Sequence, residues 1–221
     1  MRRIMLAFAG AFAAVMLLAS VCPAADTPKP IVLPEPNMKG GMPLMEALKA
    51  RSTSRDFDSR DLPPQVLSDL LWAAFGINRP ESGKRTAPSA MNRQEADIYV
   101  AMKSGLYMYN AAGHRLEPVL GEDIREATGM QPFVKDAPVN LVFVADFARM
   151  GKGSEENKKL YAAADLGFIS QNVYLFCASE GLATVVRGSF DREKLAGVMG
   201  LRPEQYIVLT QTVGYPGGGD R

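Results

Sequence analysis

The chain has 221 residues, with 25 basic against 24 acidic side chains and a formal net charge of +1. So even a balance leaves no electrostatic footprint for nucleic acid, and no basic–aromatic stripe interrupts it. Apolar residues make up 47%, enough for one domain with a buried core and too many for a disordered chain.

The N-terminal stretch MRRIMLAFAGAFAAVMLLASVCPAAD carries Arg2 and Arg3, an apolar run over 4–21, and then small residues. That is the pattern of a cleaved signal peptide over residues 1–25, and it predicts a periplasmic or secreted protein. The run is just long enough to span a bilayer. Its Ala content and the small residues after it favour cleavage over anchoring. Cys22 raises a lipoprotein alternative, although Val21 fits the lipidation box poorly. The Arg pair suits an ordinary positive leader as well as the twin-arginine route. Cleavage would leave Cys177 as the only thiol, and His114 is the only imidazole. Those counts exclude a disulfide and a Cys- or His-rich metal site, and they disfavour a Ser–His or Cys–His catalytic pair. His114, in the turn-like NAAGHRLE, is expected at the surface.

Residues 26–41, with Pro28, Pro30, Pro34 and Pro36, read as a linker or extended arm. The folded domain then spans 42–221. MPLMEALKARSTSRDF opens it with a short helix ending before Arg51. LPPQVLSDLLWAAFGI is an amphipathic helix, with Val66, Leu67, Leu70, Leu71 and Ala74 on one face. ADIYVAM, GLYMYN and RLEPVL form an antiparallel meander, and APVNLVFVADF is a buried strand. SEENKKLYAAADLGFISQNVYLFCASEG is a long helix capped by Ser154 and closed by Gly181, apolar on nearly all sides. SFDREKLAGVMG is a compact helix capped by Asp191, and QYIVLTQTVGYP is a last strand. Strands and helices mix without regular β–α alternation, so the class is α+β.

Three polar stretches could carry chemistry. In ARSTSRDF, Arg51 and Arg55 flank the hydroxyls of Ser52 and Thr53, a set suited to phosphate and equally to a solvated helix end. In RTAPSAMNRQE, Pro88 fixes the backbone while Ser89, Asn92 and Gln94 offer groups that both donate and accept, a set that can read the edge of a heterocycle; a capped loop leading into a strand explains the stretch as well. In GLATVVRGSFD, Gly188 permits close approach of a ligand to the backbone, and a plain turn explains the stretch as well.

Taken in order and spacing, these stretches resemble the flavin-dependent nitroreductase family. The resemblance runs from about residue 45 to 216. It is carried by ALKARSTSRDF followed by LSDLLWAAFGINR, by RTAPSAMNRQEADIYV, by DLGFISQNVYLFCASEGLATVVRGSFD and by VGYP. The hairpin SGLYMYNAAGHRLEPVL is most similar to the subgroup that includes peptide thiazoline dehydrogenases. The resemblance implies a three-layer fold, a mainly antiparallel sheet flanked by helices, and FMN as cofactor. It assigns the phosphate to Arg51, Ser52, Thr53 and Arg55, with Arg221 as a last basic candidate. It assigns the ring and ribityl chain to Pro88, Ser89, Ala90, Asn92 and Gln94, and the far side of the ring to the backbone of Val186, Arg187 and Gly188.

The chain departs from the family pattern in three places. Ala50–Arg51 replaces a double Arg, with one extra residue before Arg55. Glu95 stands where Pro is common, and Arg187 stands where many relatives have Glu. An inward-pointing Arg187 would favour anionic reduced flavin. The resemblance further implies a homodimer with FMN at the interface, in agreement with the apolar helix over 160–178. Chemistry would reside on the flavin, which needs no protein nucleophile. The expected activity is FMN-dependent hydride transfer to or from a small organic or quinone-like substrate. NAD(P)H is the usual reductant, and an exported protein would need a quinone, a partner protein or oxygen instead. The alternatives are a peptide azoline dehydrogenase-like oxidase and a non-catalytic flavin-binding module.

Overall fold

The computed structural model describes residues 28–218; the leader, Cys22 and Arg221 lie outside the described residues. In chain order the elements are β1 (Ile31–Val32), α1 (Leu44–Ala50), α2 (Pro64–Phe75), β2 (Ile77–Arg79), β3 (Lys84–Arg85), β4 (Ala96–Met102), β5 (Gly105–Asn110), β6 (Arg115–Leu120), β7 (Val139–Asp146), α3 (Glu155–Ser179), β8 (Ala183–Arg187), α4 (Arg192–Met199) and β9 (Gln205–Gly214).

The helices begin and end where local chemistry directs. Pro64 opens α2 at a position that needs no amide, and Gly76 closes it through its N–H on Trp72 O. The Ser154 hydroxyl accepts the Asn157 N–H at the start of α3, with Glu155 and Glu156 on the positive end of the helix. Asp191 accepts the Lys194 N–H at 3.0 Å to start α4, and Gly200 ends it in the left-handed region.

Strand order in the main sheet is β1-β6-β5-β4-β7-β9-β8, and every neighbouring pair is antiparallel. Strand β7 lies inside the sheet between β4 and β9, and all eight of its residues are buried. Helices α1, α2 and α3 cover one face, where Leu70, Leu71, Phe143, Leu166 and Ile169 pack together. Helix α4 and the turn Arg125–Thr128 cover the other, over Leu106, Val142, Val144, Leu195 and Ile207. The result is the three-layer α+β arrangement expected of the sequence.

Two regions differ from the reading of the sequence. The Pro-rich arm is fastened down. Strand β1 pairs with β6, Leu33 is buried, and Pro34 O accepts from the Ser68 hydroxyl. Its anchor is His114, expected at the surface and found half-buried. The ring lies 2.7 Å from Ser68 Oγ, 3.0 Å from Pro34 O and 3.0 Å from the Tyr109 hydroxyl. A proline carbonyl is a full acceptor although the residue lacks a donor, so a Pro-rich segment can dock without forming a long ladder. The second difference is β8. The β-branched run Thr184, Val185 and Val186 makes an edge strand on β9 rather than a turn.

That strand decides where Arg187 points. Val186 is paired with Gln211, whose side chain accepts from Ser170 of α3 at 2.8 Å, so Val186 faces α3. Successive strand residues alternate, so Arg187 faces the opposite layer. Its guanidinium is buried there, donating to Thr128 O (2.8 Å), Asn140 Oδ1 (2.9 Å) and Thr212 Oγ1 (2.9 Å). Among the described residues it meets no carboxylate, and burial lowers its pKa to about 10. Gly129 provides the room, since a Cβ there would collide with the guanidinium. The inward-pointing charge considered from the sequence is therefore a clamp between β7, β8, β9 and the 125–128 turn. Arg187→Ala removes the donors to Thr128 O and Thr212 Oγ1, while Asn140 Oδ1 keeps the Thr212 hydroxyl, and is expected to cost about 2–4 kcal/mol of stability. The loss would be read as a shifted urea midpoint, and an unshifted midpoint would refute the clamp.

Candidate functional site

The first candidate loop follows α1. The Ser54 N–H donates to Thr184 O at 3.0 Å, tying the loop to β8. The Tyr174 hydroxyl of α3 accepts the Val186 N–H at 3.0 Å and shares a second hydrogen bond with Thr53 Oγ1, 3.0 Å away. One phenol thus joins helix, strand and loop. The Arg51 guanidinium sits 5.5 Å from the centroid of the same ring, a cation–π placement. Among the described residues neither Arg51 nor Arg55 makes a side-chain hydrogen bond or ion pair. Ser52, Thr53 and Arg55 are exposed and Arg51 is half-buried. Beside them lies a cavity of about 350 Å³ lined in part by Ser52, Ser54, Gly181, Thr184 and Pro216. A free cation with adjacent hydroxyls is a donor set for phosphate.

The second loop spans 88–94. Met91, Asn92 and Gln94 have φ of 57°, 54° and 48°; among the described residues the only other non-glycine with positive φ is His114. Such backbone is disfavoured and persists only where surrounding bonds over-determine it. Here they do. The Gln94 N–H donates to Ser89 Oγ at 2.9 Å. Gln94 Oε1 accepts from Arg85 Nε at 2.9 Å, and its Nε2 donates to Gly83 O and Asn92 Oδ1. Arg85 is in turn fixed by Phe75 O at 3.1 Å and by the Phe75 ring. Gln94 therefore uses its amide inside the loop. The outward groups are Pro88, Met91 and Asn92, all exposed, and the half-buried Ser89 hydroxyl.

Ala90, expected at the ligand surface, turns its N–H inward to Asp165 Oδ2 of α3, 2.8 Å away. Behind it, Glu95 is fully buried, and both its carboxyl oxygens lack a conventional partner. Burial first, and then the adjoining Asp165 carboxyl, raise its pKa to about 7. Its carbonyl oxygen is held by Arg149 Nη2 at 2.8 Å and by the Asp146 N–H at 2.9 Å. Tyr174, Arg85, Asp165 and the buried state of Glu95 were missed in reading the sequence. Asp165 left one signal, as an acid inside the apolar run YAAADLGFISQ.

The third stretch lies at the end of β8, where Val186 is half-buried and Gly188 exposed. The Val186 N–H is already used by Tyr174. No cluster of three or more metal-ligating side chains occurs among the described residues.

The two loops do not converge within one chain. Asp165 and Tyr174 are nine residues apart on α3, which is two and a half turns and about 13 Å along the axis. They lie on opposite flanks of the helix, and each holds one loop.

The sequence profile of the nitroreductase family matches residues 48–215. A solved structure from Ralstonia eutropha, described as a nitroreductase, is 43% identical with a TM-score of 0.83, covering 88% of this chain and 93% of that one. A Methanocaldococcus jannaschii protein described as a nitroreductase is 29% identical over 181 residues, covering 77% of this chain and 90% of its own length. The NADPH:FMN oxidoreductase of Vibrio harveyi, solved with NAD+, has the same fold at 19% identity and a TM-score of 0.60, covering 78% of this chain and 68% of that one. The profile match takes in both loops and the sheet between them, and the chain belongs to the nitroreductase family of oxidoreductases.

Proposed function

We propose that the protein is an FMN-dependent oxidoreductase acting as a homodimer, with the flavin held between the two kinds of loop. The observation that carries this reading is the Arg51 guanidinium, free of any carboxylate among the described residues and set beside the Ser52 and Thr53 hydroxyls. These residues fit a flavin phosphate. Pro88, Ser89 and Asn92 fit a flat ring with polar edges, and the exposed Gly188 permits close backbone approach. Bound FMN would supply reversible two-electron chemistry. The chain's own residues bind it, orient it and keep the ring out of water.

Dimerisation follows from the separation of the loops on α3. That helix leaves Leu160, Tyr161 and Phe168 uncovered, and α1 leaves Leu44, Met45 and Leu48. An apolar stripe of this kind suits an obligate interface. Two copies paired through α3 would bring the 88–94 loop of one to the 51–55 loop of the other. The substrate in this reading is a small organic or quinone-like acceptor. The leader over 1–25 supports export, and with export a quinone or a partner protein replaces NAD(P)H as reductant.

The purified protein is expected to show flavin absorption that survives desalting, or to regain it when FMN is added. A protein that ignores added FMN would sink the reading. Arg51→Ala should weaken FMN binding by about 1.5–3 kcal/mol, the scale of a charge-assisted hydrogen bond, in a fluorescence titration. Phe168→Glu places a charge in the apolar stripe. It should give monomers in sedimentation and lower FMN affinity together, whereas a dimer unaffected by it would move the interface elsewhere.

A further inference from the structure

The buried acids behind the 88–94 loop have no part in binding or redox chemistry as described so far. Glu95 is wholly buried with neither carboxyl oxygen partnered, and the Asp165 carboxyl adjoins it, 4% exposed. Two carboxylates in contact repel each other in a medium of low polarity, and neither can donate to the other. A proton on Glu95 converts the repulsion into a hydrogen bond to Asp165, whose Oδ2 receives the Ala90 N–H at 2.8 Å. Among the described residues no cation neutralises the pair directly. Arg149 reaches the Glu95 carbonyl, while its charge is engaged by Asp97 at 2.6 Å and by Asp146 at 3.7 Å. Asp146 is also held by Arg202 at 2.6 Å, and Arg85 is fixed to Gln94.

We infer that Glu95 and Asp165 are positioning residues that share one proton, and that this proton locks the 88–94 loop in its left-handed, ligand-ready form. The pair sets a pH limit on flavin binding; that consequence rests on the FMN reading, whereas the lock does not. With the proton present, Asp165 is held at the Ala90 amide and the strained backbone of Met91, Asn92 and Gln94 is supported from below. Loss of the proton leaves two buried charges, which separate by moving the loop. The sign is fixed by linkage. The Glu95 carboxyl is raised from 4.5 to about 7 in the folded state. Its contribution to stability is thus complete below about 4.5 and is lost as pH rises through about 7.

The test compares the wild type with Glu95→Gln and Glu95→Ala. The Gln amide donates to Asp165 permanently and carries no titrating proton. FMN dissociation constants and melting temperatures of the flavin-free protein would be measured from about pH 5 to 8.5, across the expected transition. Amide exchange at Ala90 would be followed over the same range. Wild-type FMN affinity should fall several-fold towards high pH, with melting temperature and Ala90 protection falling alongside. Glu95→Gln should keep the low-pH values throughout. Glu95→Ala should be weakened at every pH, or fail to fold, without affecting the comparison with Gln. A wild-type pH profile retained in Glu95→Gln, or Ala90 protection that is flat with pH in the wild type, overturns the inference. If FMN binds at no pH, the oxidoreductase reading fails, while melting and exchange in the flavin-free protein still decide whether the proton lock exists.

Discussion

Helix α3 is the constraint on which both candidate loops depend. It is packed against the sheet through Leu166, Ile169, Val173 and Cys177, all fully buried. Besides Ser170, which bonds to Gln211 of β9, it brings two polar side chains into that apolar surface, Asp165 and Tyr174. A buried polar group is costly unless its bonds are made. Each of these makes its bonds to a loop: Asp165 to the Ala90 amide, and Tyr174 to Thr53 and the Val186 amide. The loops are therefore placed by a helix that cannot slide without exposing its apolar face or leaving these groups unpaired. Their separation on opposite flanks keeps the two loops apart within one chain.

Arginine illustrates how environment sets role. Arg187 is buried among carbonyl and hydroxyl acceptors and serves the fold. Arg85 is half-buried, divided between Phe75 and Gln94, and supports loop shape. Arg149 and Arg202 face carboxylates at the end of β7. Arg51 alone of these stands over an aromatic ring with its donors unused among the described residues. A guanidinium whose donors are unused has the most to gain from an incoming anion.

Much of the architecture could be read locally. Strands β4, β5 and β6 fall on ADIYVAM, GLYMYN and RLEPVL because short polar turns bound apolar, β-branched or aromatic runs. Ser154, Asp191 and Gly200 mark helix ends through bonds made within a few residues. Less could be read where the partner is distant in sequence. Strand β1 exists because β6 offers it an edge 85 residues later at Ile31–Leu116. His114 is held inward by Pro34 and Ser68, which no window around NAAGHRLE contains.

The sequence by itself determined the α+β class and most of the elements, carried the resemblance to the family, and marked the candidate stretches. The class and the elements rest on periodicity, capping and spacing, all of which act over a few residues. Only the tertiary structure decided which side chains of those stretches face outward. Alternation along β8 puts Val186 and Arg187 on opposite faces in any fold. That α3 covers the Val186 side was settled by the layer packing. In the same way, Glu95 is an ordinary acid in NRQE until α3 places Asp165 against it. The reason is physical: burial and the contact of two like charges are properties of the packed chain, and they set where a proton resides.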